Sequence, residues 1–391
     1  METGISTPAV LSEGRLVSLG PVSVSPALRV LHVINGQHYA GAERVQDHLA
    51  MELPRWGFEV GFACLKPDAF SAMRHARQAE LYRLPMASRF DLRAVLRLAR
   101  LIRRGGYALV HTHTPRAALV GGPAAALARV PLVHHVHGRT SDEMGRRWLS
   151  RTSAAVERIS LWRAAGLIPV SPSLRRYLGD HGYARHRLWL VPNGEPCRGD
   201  LPPWSPREPW TLGLLAWFRP RKGVEVLLEA IARLKAAGLA VRLRAAGNFE
   251  TPEYEGEIRA YAARLQIGEQ IEWLGFRRDV QAELEHMDVL VLPSVLSEGM
   301  PMSVLEAMAA GTIVVATRVD GVTDVIRDGV DGLLAQPGDP GDLARVLALL
   351  LSGQVDARRL RANAHRRQAE QFSVQSMAAG VAQVYREVLG R

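Results

Sequence analysis

The sequence predicts an α/β protein made of two doubly wound domains in tandem. Short apolar or β-branched runs alternate with longer segments of helical period, which is typical of βαβ units around a parallel sheet. The alternation stops at residues 194–209, where five of sixteen residues are proline, and then starts again. The chain of 391 residues also exceeds the usual size of one domain core.

The first series of strands begins at about residue 28, after a leader at 1–26. The leader is rich in serine, proline and glycine and lacks the basic start of a signal peptide, so we expect it to be flexible. The predicted strands are RVLHVI (29–34), EVGFAC (59–64), ALVHTH (108–113), LVHHVH (132–137) and LIPV (167–170). Between them, 42–53 and 91–104 have the apolar spacing of helices.

A second series follows the proline-rich break. Its predicted strands are TLGLLA (211–216), VRLRAAG (241–247), IEWLG (271–275), DVLVLP (288–293) and TIVVAT (312–317). The segment 374–389 has one apolar stripe, so it predicts an amphipathic helix that must cover a surface. We therefore divide the chain into a flexible leader (1–26), an N-terminal domain (27–195), a proline-rich linker (196–209), a C-terminal domain (210–372) and a final helix (373–391).

Two glutamates in SEGMPMSVLEAMAAG (297–311) frame a predicted ligand site. Open parallel sheets bind ligands at the carboxyl ends of their strands, so a cleft between two such domains is the expected position. Here Pro301 suits the first turn of a helix, whose N-terminus suits a phosphate. Glu298 lies just outside that terminus and Glu306 more than a turn inside. A nucleotide sugar fits this spacing, and simple stabilisation of the helix dipole is the plainer alternative.

A second loop, WFRPRKG (217–223), also lies between a predicted strand and a predicted helix. Its Arg219, Arg221 and Lys222 can pair with a diphosphate, although the same residues also suit a solvated basic turn. The chain contains no Asp-x-Asp pair, which is one common arrangement for a nucleotide-bound Mg²⁺ or Mn²⁺. We therefore expect a metal-independent site that needs no cofactor.

These residues resemble the retaining glycosyltransferases of family 4, whose GT-B fold has two Rossmann-like domains facing a central cleft. The resemblance runs from about residue 28, and its most specific part is an E-x7-E motif that Glu298 and Glu306 match. Supporting stretches are YAGAERV (39–45), VHTHTPRAA (110–118), VHG (136–138), VSPSLRRYL (170–178), VPNG (191–194), LGFRRDV (274–280) and VIRDGVDGLL (325–334). The resemblance implies donor binding mainly by the C-terminal domain and acceptor binding mainly by the N-terminal one.

The resemblance also implies roles for single residues. Glu306 would hold the nucleotide ribose, Glu298 would lie beside the transferred sugar, and Lys222 would contact the diphosphate. His137 would approach the donor sugar from the N-terminal domain. Loop and backbone groups would complete the donor site, namely Gly41, Gly247, Phe276, Gly299, Met300, Met302 and Ser303. The candidate catalytic residues are Glu298, His137, Arg219 and Lys222.

Two positions depart from the family pattern. Ala216 and Trp217 stand where the family usually has Gly-Arg before the phosphate lysine. We hypothesise that Arg219 supplies the missing guanidinium. The family's N-terminal Gly-Gly loop is Ala-Gly here, at 40–41, with Gly36 earlier.

Basic residues exceed acidic ones, 49 to 39, which gives a formal net charge of +10. Residues 71–165 hold seventeen arginines, no lysine and five acidic residues, a balance of +12. Arginines recur at helical spacing, at Arg93, Arg97, Arg100 and Arg104. We expect the opposite side of this helix to carry Leu92, Leu96, Ala99 and Ile102. Basic and indole groups mix, as in interfacial helices, at Arg146, Arg147, Trp148, Arg151, Arg158, Trp162 and Arg163. We expect this domain to attach to an anionic membrane surface, with a solvated helix face as the plainer alternative.

Two other protein classes stay open. His111 and His113 share one face of a strand, as do His135 and His137, and His-x-His at a strand end can bind zinc in hydrolases. The positive charge also allows a nucleic-acid-binding protein. No recognisable reading motif accompanies that charge, so we expect no nucleic-acid partner.

The favoured interpretation is a retaining glycosyltransferase of the hexosyltransferase type, acting in cell-surface polysaccharide or glycolipid synthesis. It would move a sugar from a nucleotide-diphosphate sugar to a glycan or lipid-linked acceptor. No apolar run reaches the roughly 18 to 20 residues that span a bilayer, so no transmembrane helix is expected. The two cysteines, Cys64 and Cys197, cannot form a disulfide framework. We therefore expect a cytoplasmic protein that is peripherally associated with the inner face of the membrane.

Overall fold

The computed structural model describes residues 27–86, 91–139, 161, 164–183, 187–206 and 208–391. The predicted leader at 1–26 and the predicted basic and indole face between 146 and 163 lie outside the described residues. The chain forms two compact units. Unit 1 contains the chain up to Gly194 and also Phe372–Arg391, whereas unit 2 contains Glu195–Gln371.

Unit 1 is built on a parallel sheet of six strands in the order β3-β2-β1-β4-β5-β6. Its central strands are buried on both faces, so apolar residues and buried histidines follow one another without the apolar–polar alternation of a half-solvated sheet. The elements are β1 (Leu28–Ile34), α1 (Gly41–Glu52), β2 (Phe58–Cys64), α2 (Ala69–Met73), β3 (Glu80–Arg83), α3 (Leu92–Arg104), β4 (Leu109–Thr112), α4 (Pro115–Ala128), β5 (Leu132–Val136), β6 (Gly166–Pro169) and α5 (Pro172–Asp180).

Unit 2 has a second parallel sheet of six strands, in the order β12-β11-β10-β7-β8-β9. Helices cover an apolar core that includes Leu212, Leu243 and Val291. The elements are β7 (Trp210–Leu215), α6 (Val224–Ala236), β8 (Val241–Ala246), α7 (Pro252–Arg264), β9 (Ile271–Gly275), α8 (Val280–Leu284), β10 (Val289–Leu292), α9 (Met302–Ala310), β11 (Ile313–Thr317), β12 (Leu333–Ala335), α10 (Pro340–Leu351) and α11 (Ala357–Gln371).

The last helix, α12 (Val374–Val388), belongs to unit 1 although it follows unit 2 in sequence. Its predicted apolar stripe is buried, and its largest member, Tyr385, is fully enclosed. The Tyr385 hydroxyl lies 3.0 Å from Nε2 of His32 on β1 and 2.6 Å from Nδ1 of His111 on β4. These two contacts fasten the end of the chain to the centre of the first sheet.

The proline-rich segment predicted as a linker packs on unit 2. Trp204 lies against the apolar core, and its indole N–H donates to Asp288 at 3.2 Å. The Arg361 guanidinium on α11 donates to the Pro202 carbonyl at 2.9 Å. A side chain of unit 2 therefore satisfies a backbone carbonyl of this segment, which forms no regular secondary structure.

The structure confirms the predicted α/β class and all ten predicted strands, and it adds β3 and β12. Strand β3 is a half-exposed edge with a charged residue at each end, and β12 has only three residues. Neither is long or apolar enough to produce a clear period in the sequence.

The predicted apolar side of α3 is wrong in part. The structure buries Ala94, Leu98, Ala99 and Ile102 on this helix, where α3 packs against α4. Leu92 and Leu96 instead lie in solvent, with 76% and 48% of their surfaces exposed. The pattern misled because several leucines on α3 leave two possible apolar stripes, and only packing against α4 decides between them.

Among the described residues, no helix has the length and apolar character needed to cross a bilayer.

Candidate active site

The E-x7-E stretch forms a loop and a helix, as predicted. Pro301 is the residue just before α9 rather than its first residue, and the helix ends where Gly311 adopts a φ of 72°. The first bonds within the helix run from Val304 and Leu305 N–H to the Pro301 carbonyl. The N–H groups of Met302 and Ser303 come before these bonds, so they lie at the positive end of the helix dipole.

A buried ion pair lies beside this helix N-terminus. The Lys222 ammonium donates to Oε1 of Glu298 at 2.6 Å, and the Ser294 hydroxyl donates to the same oxygen at 2.6 Å. The Arg221 guanidinium lies 3.5 Å from it. Glu298 is only 9% exposed, so this carboxylate has exchanged water for two cations and a hydroxyl.

The cations keep the Glu298 carboxylate ionised. Burial raises its pKa, but the charges of Lys222 and Arg221 and the hydrogen bonds from Lys222 and Ser294 outweigh that effect and hold the pKa below its ordinary value. Burial also lowers the pKa of Lys222, against the opposing effect of Glu298. The result is a charged pair with an additional cation from Arg221.

Sheet topology brings these residues together. Lys222 follows β7 and Ser294 follows β10, and the two strands are hydrogen-bonded neighbours whose carboxyl ends meet. Gly223, with a φ of +65°, lets the first loop pass close to the second, because a Cβ there would lie 2.0 Å from the Pro293 carbonyl oxygen. Gly247 has a similar role between β8 and β7, where a Cβ would lie 1.7 Å from the Ala216 carbonyl oxygen.

The other predicted donor residues of unit 2 have different surroundings. Glu306 is almost fully buried on α9, and Met300 and Met302 are buried as well. Phe276 follows β9 and exposes 51% of its surface. Gly299 lies in the loop two residues before Pro301, and Ser303 lies in the first turn of α9.

Arg219 lies close enough to Lys222 for its positive charge to contribute to lowering the pKa of that ammonium. Its guanidinium lies 3.9 Å from Glu250. The structure brings Arg221 and Ser294 to Glu298. The sequence already indicated Arg221 as a residue that can pair with a diphosphate, although not as a catalytic candidate. Ser294 was not predicted, because it gives no signal beyond its position at a strand end.

The predicted site residues of unit 1 are Gly41 and His137. Gly41 is the first residue of α1, in the same helical turn as Glu43, whose pKa burial raises to about 7. His137 follows β5, and its Nε2 lies 3.0 Å from Nδ1 of His113. Burial lowers the pKa of His137 to about 4, so its ring is neutral at pH 7.

Two family models match the chain. The model described as Glycosyltransferase Family 4 matches residues 39–195, and the model described as Glycosyl transferases group 1 matches residues 210–353. The MMP alpha-(1->4)-mannosyltransferase of Mycolicibacterium hassiacum is 31% identical over 330 residues, which are 78% of this chain and 76% of the relative. The UDP-Gal:alpha-D-GlcNAc-diphosphoundecaprenol alpha-1,3-galactosyltransferase of Escherichia coli is 22% identical over 366 residues, 85% of this chain and 90% of the relative.

Solved structures share the fold. Anabaena Alr3699/HepE, crystallised in complex with UDP and glucose, aligns with a TM-score of 0.80 at 21% identity and covers 92% of this chain and 100% of that chain. The two parallel six-stranded sheets with their flanking helices have the GT-B fold, and the two family models define the class as glycosyltransferase. The similarity to the mannosyltransferase extends over most of both chains, and this chain belongs to the group 1 glycosyltransferases of family 4.

Replacing Lys222 should make the stability of unit 2 depend on pH. We expect Lys222→Met to lower the free energy of unfolding by about 3 kcal/mol at about pH 8, because Glu298 stays buried without its closest cation. The loss should shrink towards about pH 5.5. Burial then raises the pKa of Glu298, so the folded state takes up a proton more readily than the unfolded state. Urea unfolding at both pH values measures this.

The matched control is Lys235→Met, which removes an exposed ammonium that donates to the Gln266 carbonyl at 2.5 Å. That change should alter stability by less than about 0.5 kcal/mol at either pH. A Lys222→Met loss of equal size at both pH values would show that the buried charge of Glu298 is not its cause.

Proposed function

We propose that the chain is a retaining hexosyltransferase that transfers a sugar from a nucleotide-diphosphate sugar to a glycan or lipid-linked acceptor, in cell-surface polysaccharide or glycolipid synthesis. The observation that carries the proposal is the cluster of Lys222, Arg221 and Glu298 beside the N-terminus of α9. HepE was crystallised with UDP and glucose, and the E. coli relative is named for UDP-Gal and a diphosphoundecaprenol-linked acceptor. Both support a UDP-sugar donor, and the E. coli relative also supports a lipid-linked acceptor.

The charges of the cluster suit a diphosphate. Lys222 and Arg221 exceed the single carboxylate of Glu298 by one positive charge, and the helix terminus adds a partial positive charge. As the sugar leaves, negative charge grows on the diphosphate, and fixed cations stabilise it without reorganisation. We therefore propose that donor binding and diphosphate departure need no metal ion and no other cofactor.

We assign Glu298 to the other charge that develops. The anomeric carbon becomes positive in the transition state, and an ionised carboxylate nearby lowers its energy. The low pKa of Glu298 keeps it ionised for this purpose. Lys222 and Ser294 both donate to Oε1, which makes that oxygen a weak nucleophile, so we assign it charge stabilisation rather than covalent attack.

A donor should stabilise the purified protein against heat. We expect one of UDP-, GDP- or ADP-sugars, screened one by one, to raise the melting temperature, because a ligand that binds only the folded state stabilises it by mass action. Glu306→Ala should abolish the rise, since the resemblance assigns this residue to the ribose. Glu253→Ala, on the surface of α7, is the matched control and should keep it.

A chelator should leave the shift unchanged, in accord with a metal-free diphosphate site. A folded protein that responds to none of these donors, or a Glu306→Ala variant that responds like the unmodified protein, would contradict the proposed donor site.

Two arginines compete for the guanidinium role on the diphosphate. If Arg219 supplies it, Arg219→Ala should lower kcat/KM by 100-fold or more, in line with the loss of one preorganised contact to the leaving group. Arg221→Ala is the comparison, because Arg221 lies 3.5 Å from Glu298 and Arg219 lies 3.9 Å from Glu250. Steady-state kinetics with the donor found in the screen would decide. Full activity in Arg219→Ala would transfer the role to Arg221.

We propose peripheral attachment to an anionic membrane through the exposed face of α3. Leu92 and Leu96 lie there in solvent, on the same side as exposed basic residues, and Arg97 bonds the Pro85 carbonyl at the edge of this face. The exposed arginines of α3 are Arg93, Arg100, Arg103 and Arg104. Each such arginine contributes about 1 kcal/mol near an anionic surface, and leucines add burial in the interface.

Charge reversal on α3 should weaken vesicle binding. We expect the full chain to sediment with vesicles of phosphatidylglycerol and phosphatidylcholine at low salt, and Arg93→Glu with Arg100→Glu to reduce the partition coefficient at least tenfold. Arg358→Glu with Arg359→Glu, two exposed arginines of α11, is the matched control. Equal binding by the α3 variant and the control variant would remove α3 as the attachment surface.

A further inference from the structure

Five imidazole rings from three adjacent strands are packed together inside unit 1. His32 lies on β1, His111 on β4 and His135 on β5, and His113 and His137 directly follow β4 and β5. The rings of His111 and His135 are stacked with centroids 5.4 Å apart, and those of His135 and His137 with centroids 4.6 Å apart. Because side chains two residues apart on a strand share one face, all five rings lie on the same side of the sheet.

Several nitrogens of this cluster are buried without partners. Both ring nitrogens of His135, and Nε2 of His113, are enclosed and make no hydrogen bond to the described residues. An unpartnered buried polar group costs about 1–3 kcal/mol, so such atoms require an explanation. At the inner end of the cluster, His32 and His111 each use one nitrogen on the Tyr385 hydroxyl.

The outer three histidines have the spacing of metal ligands. One nitrogen from each of His113, His135 and His137 lies within 4.8 Å of one from each of the others. The closest of these distances joins Nδ1 of His113 to Nε2 of His137, at 3.0 Å. Two nitrogens bound to one tetrahedral Zn²⁺ lie about 3.3 Å apart, given Zn–N bonds of about 2.0–2.1 Å.

We propose that His113, His135 and His137 form a binding site for one divalent late first-row metal ion, with Zn²⁺ as its occupant. Neutral imidazole suits Zn²⁺, whereas Mg²⁺ and Ca²⁺ require oxygen ligands. Three histidines leave one tetrahedral position for water or a ligand oxygen. His137 is only partly buried, so the metal enters beside it, at the carboxyl end of β5.

The three rings are ready to bind a cation at neutral pH. Burial lowers the pKa of His137 to about 4, and burial together with the neighbouring imidazoles lowers the pKa values of His113 and His135 well below the ordinary range. Burial therefore favours the neutral imidazole, which is the form that binds a metal ion. Coordination through Nε2 of His137 leaves its Nδ1 for the sugar contact that the family resemblance implies.

This inference does not depend on the proposed diphosphate site of unit 2, which uses Lys222 and Arg221. Zinc binding is measured without any nucleotide sugar, and a donor response is measured after chelation. A negative result in one experiment therefore does not affect the other proposal.

The test is metal binding by the full chain after it has been stripped with a chelator. Dialysis against ZnCl₂ should return about one zinc per chain, and Co²⁺ in its place should give the intense visible absorption of a tetrahedral site. His135→Gln and His113→Gln should weaken zinc binding at least tenfold and abolish that absorption. His134→Gln is the matched control, because His134 adjoins His135 but bonds Thr112, at 2.8 Å, on the opposite face.

Zinc binding by His134→Gln equal to that of the unmodified protein, together with its loss in the other two variants, supports the site. The proposal is overturned if the unmodified protein binds no zinc. It is also overturned if His135→Gln binds zinc as tightly as the unmodified protein does. Circular dichroism establishes whether each variant folds. If His135→Gln does not fold, His137→Gln gives the same test at a partly exposed position.

Discussion

The buried Lys222–Glu298 ion pair is the interaction on which the candidate active site depends. Removing two charges from water costs several kcal/mol per ion, so the pair persists only because Ser294 and Arg221 add further contacts to the same carboxylate. That cost fixes the geometry. Lys222, held at 2.6 Å, cannot turn towards solvent without depriving the buried Glu298 carboxylate of its closest cation. The cation that would meet a diphosphate is therefore already in position before a donor binds.

Unit 1 buries neutral imidazole rings instead of an ion pair. Its sheet buries histidines among aliphatic and aromatic side chains, and burial favours the uncharged form of these rings. The Tyr385 hydroxyl gives His32 and His111 a partner, and it comes from the last helix of the chain. The C-terminal helix therefore does more than cover an apolar surface: it satisfies polar atoms on the two central strands, which ties its register to the sheet.

Most of the fold could be predicted because parallel strands buried on both faces leave continuous apolar runs in the sequence. Glu298 and Lys222 could also be found, since each follows such a run and precedes a helix. The choice between Arg219 and Arg221 could not, because it depends on which way a short turn directs two side chains. His32 was missed for a similar reason: one histidine in an apolar strand gains meaning only when pairing places it beside His111.

The two units thus present opposite chemistry to their ligands. Unit 2 gathers cations and a helix N-terminus, which attract phosphate and repel a metal ion unless phosphate accompanies it. Unit 1 gathers uncharged nitrogen lone pairs, which attract a cation and offer nothing to a diphosphate. If the assayed reaction requires a metal ion, that ion therefore need not bridge the diphosphate. The neutral rings of His113, His135 and His137 are the chemically better place for that ion, and substitutions there, rather than at Lys222, would identify its role.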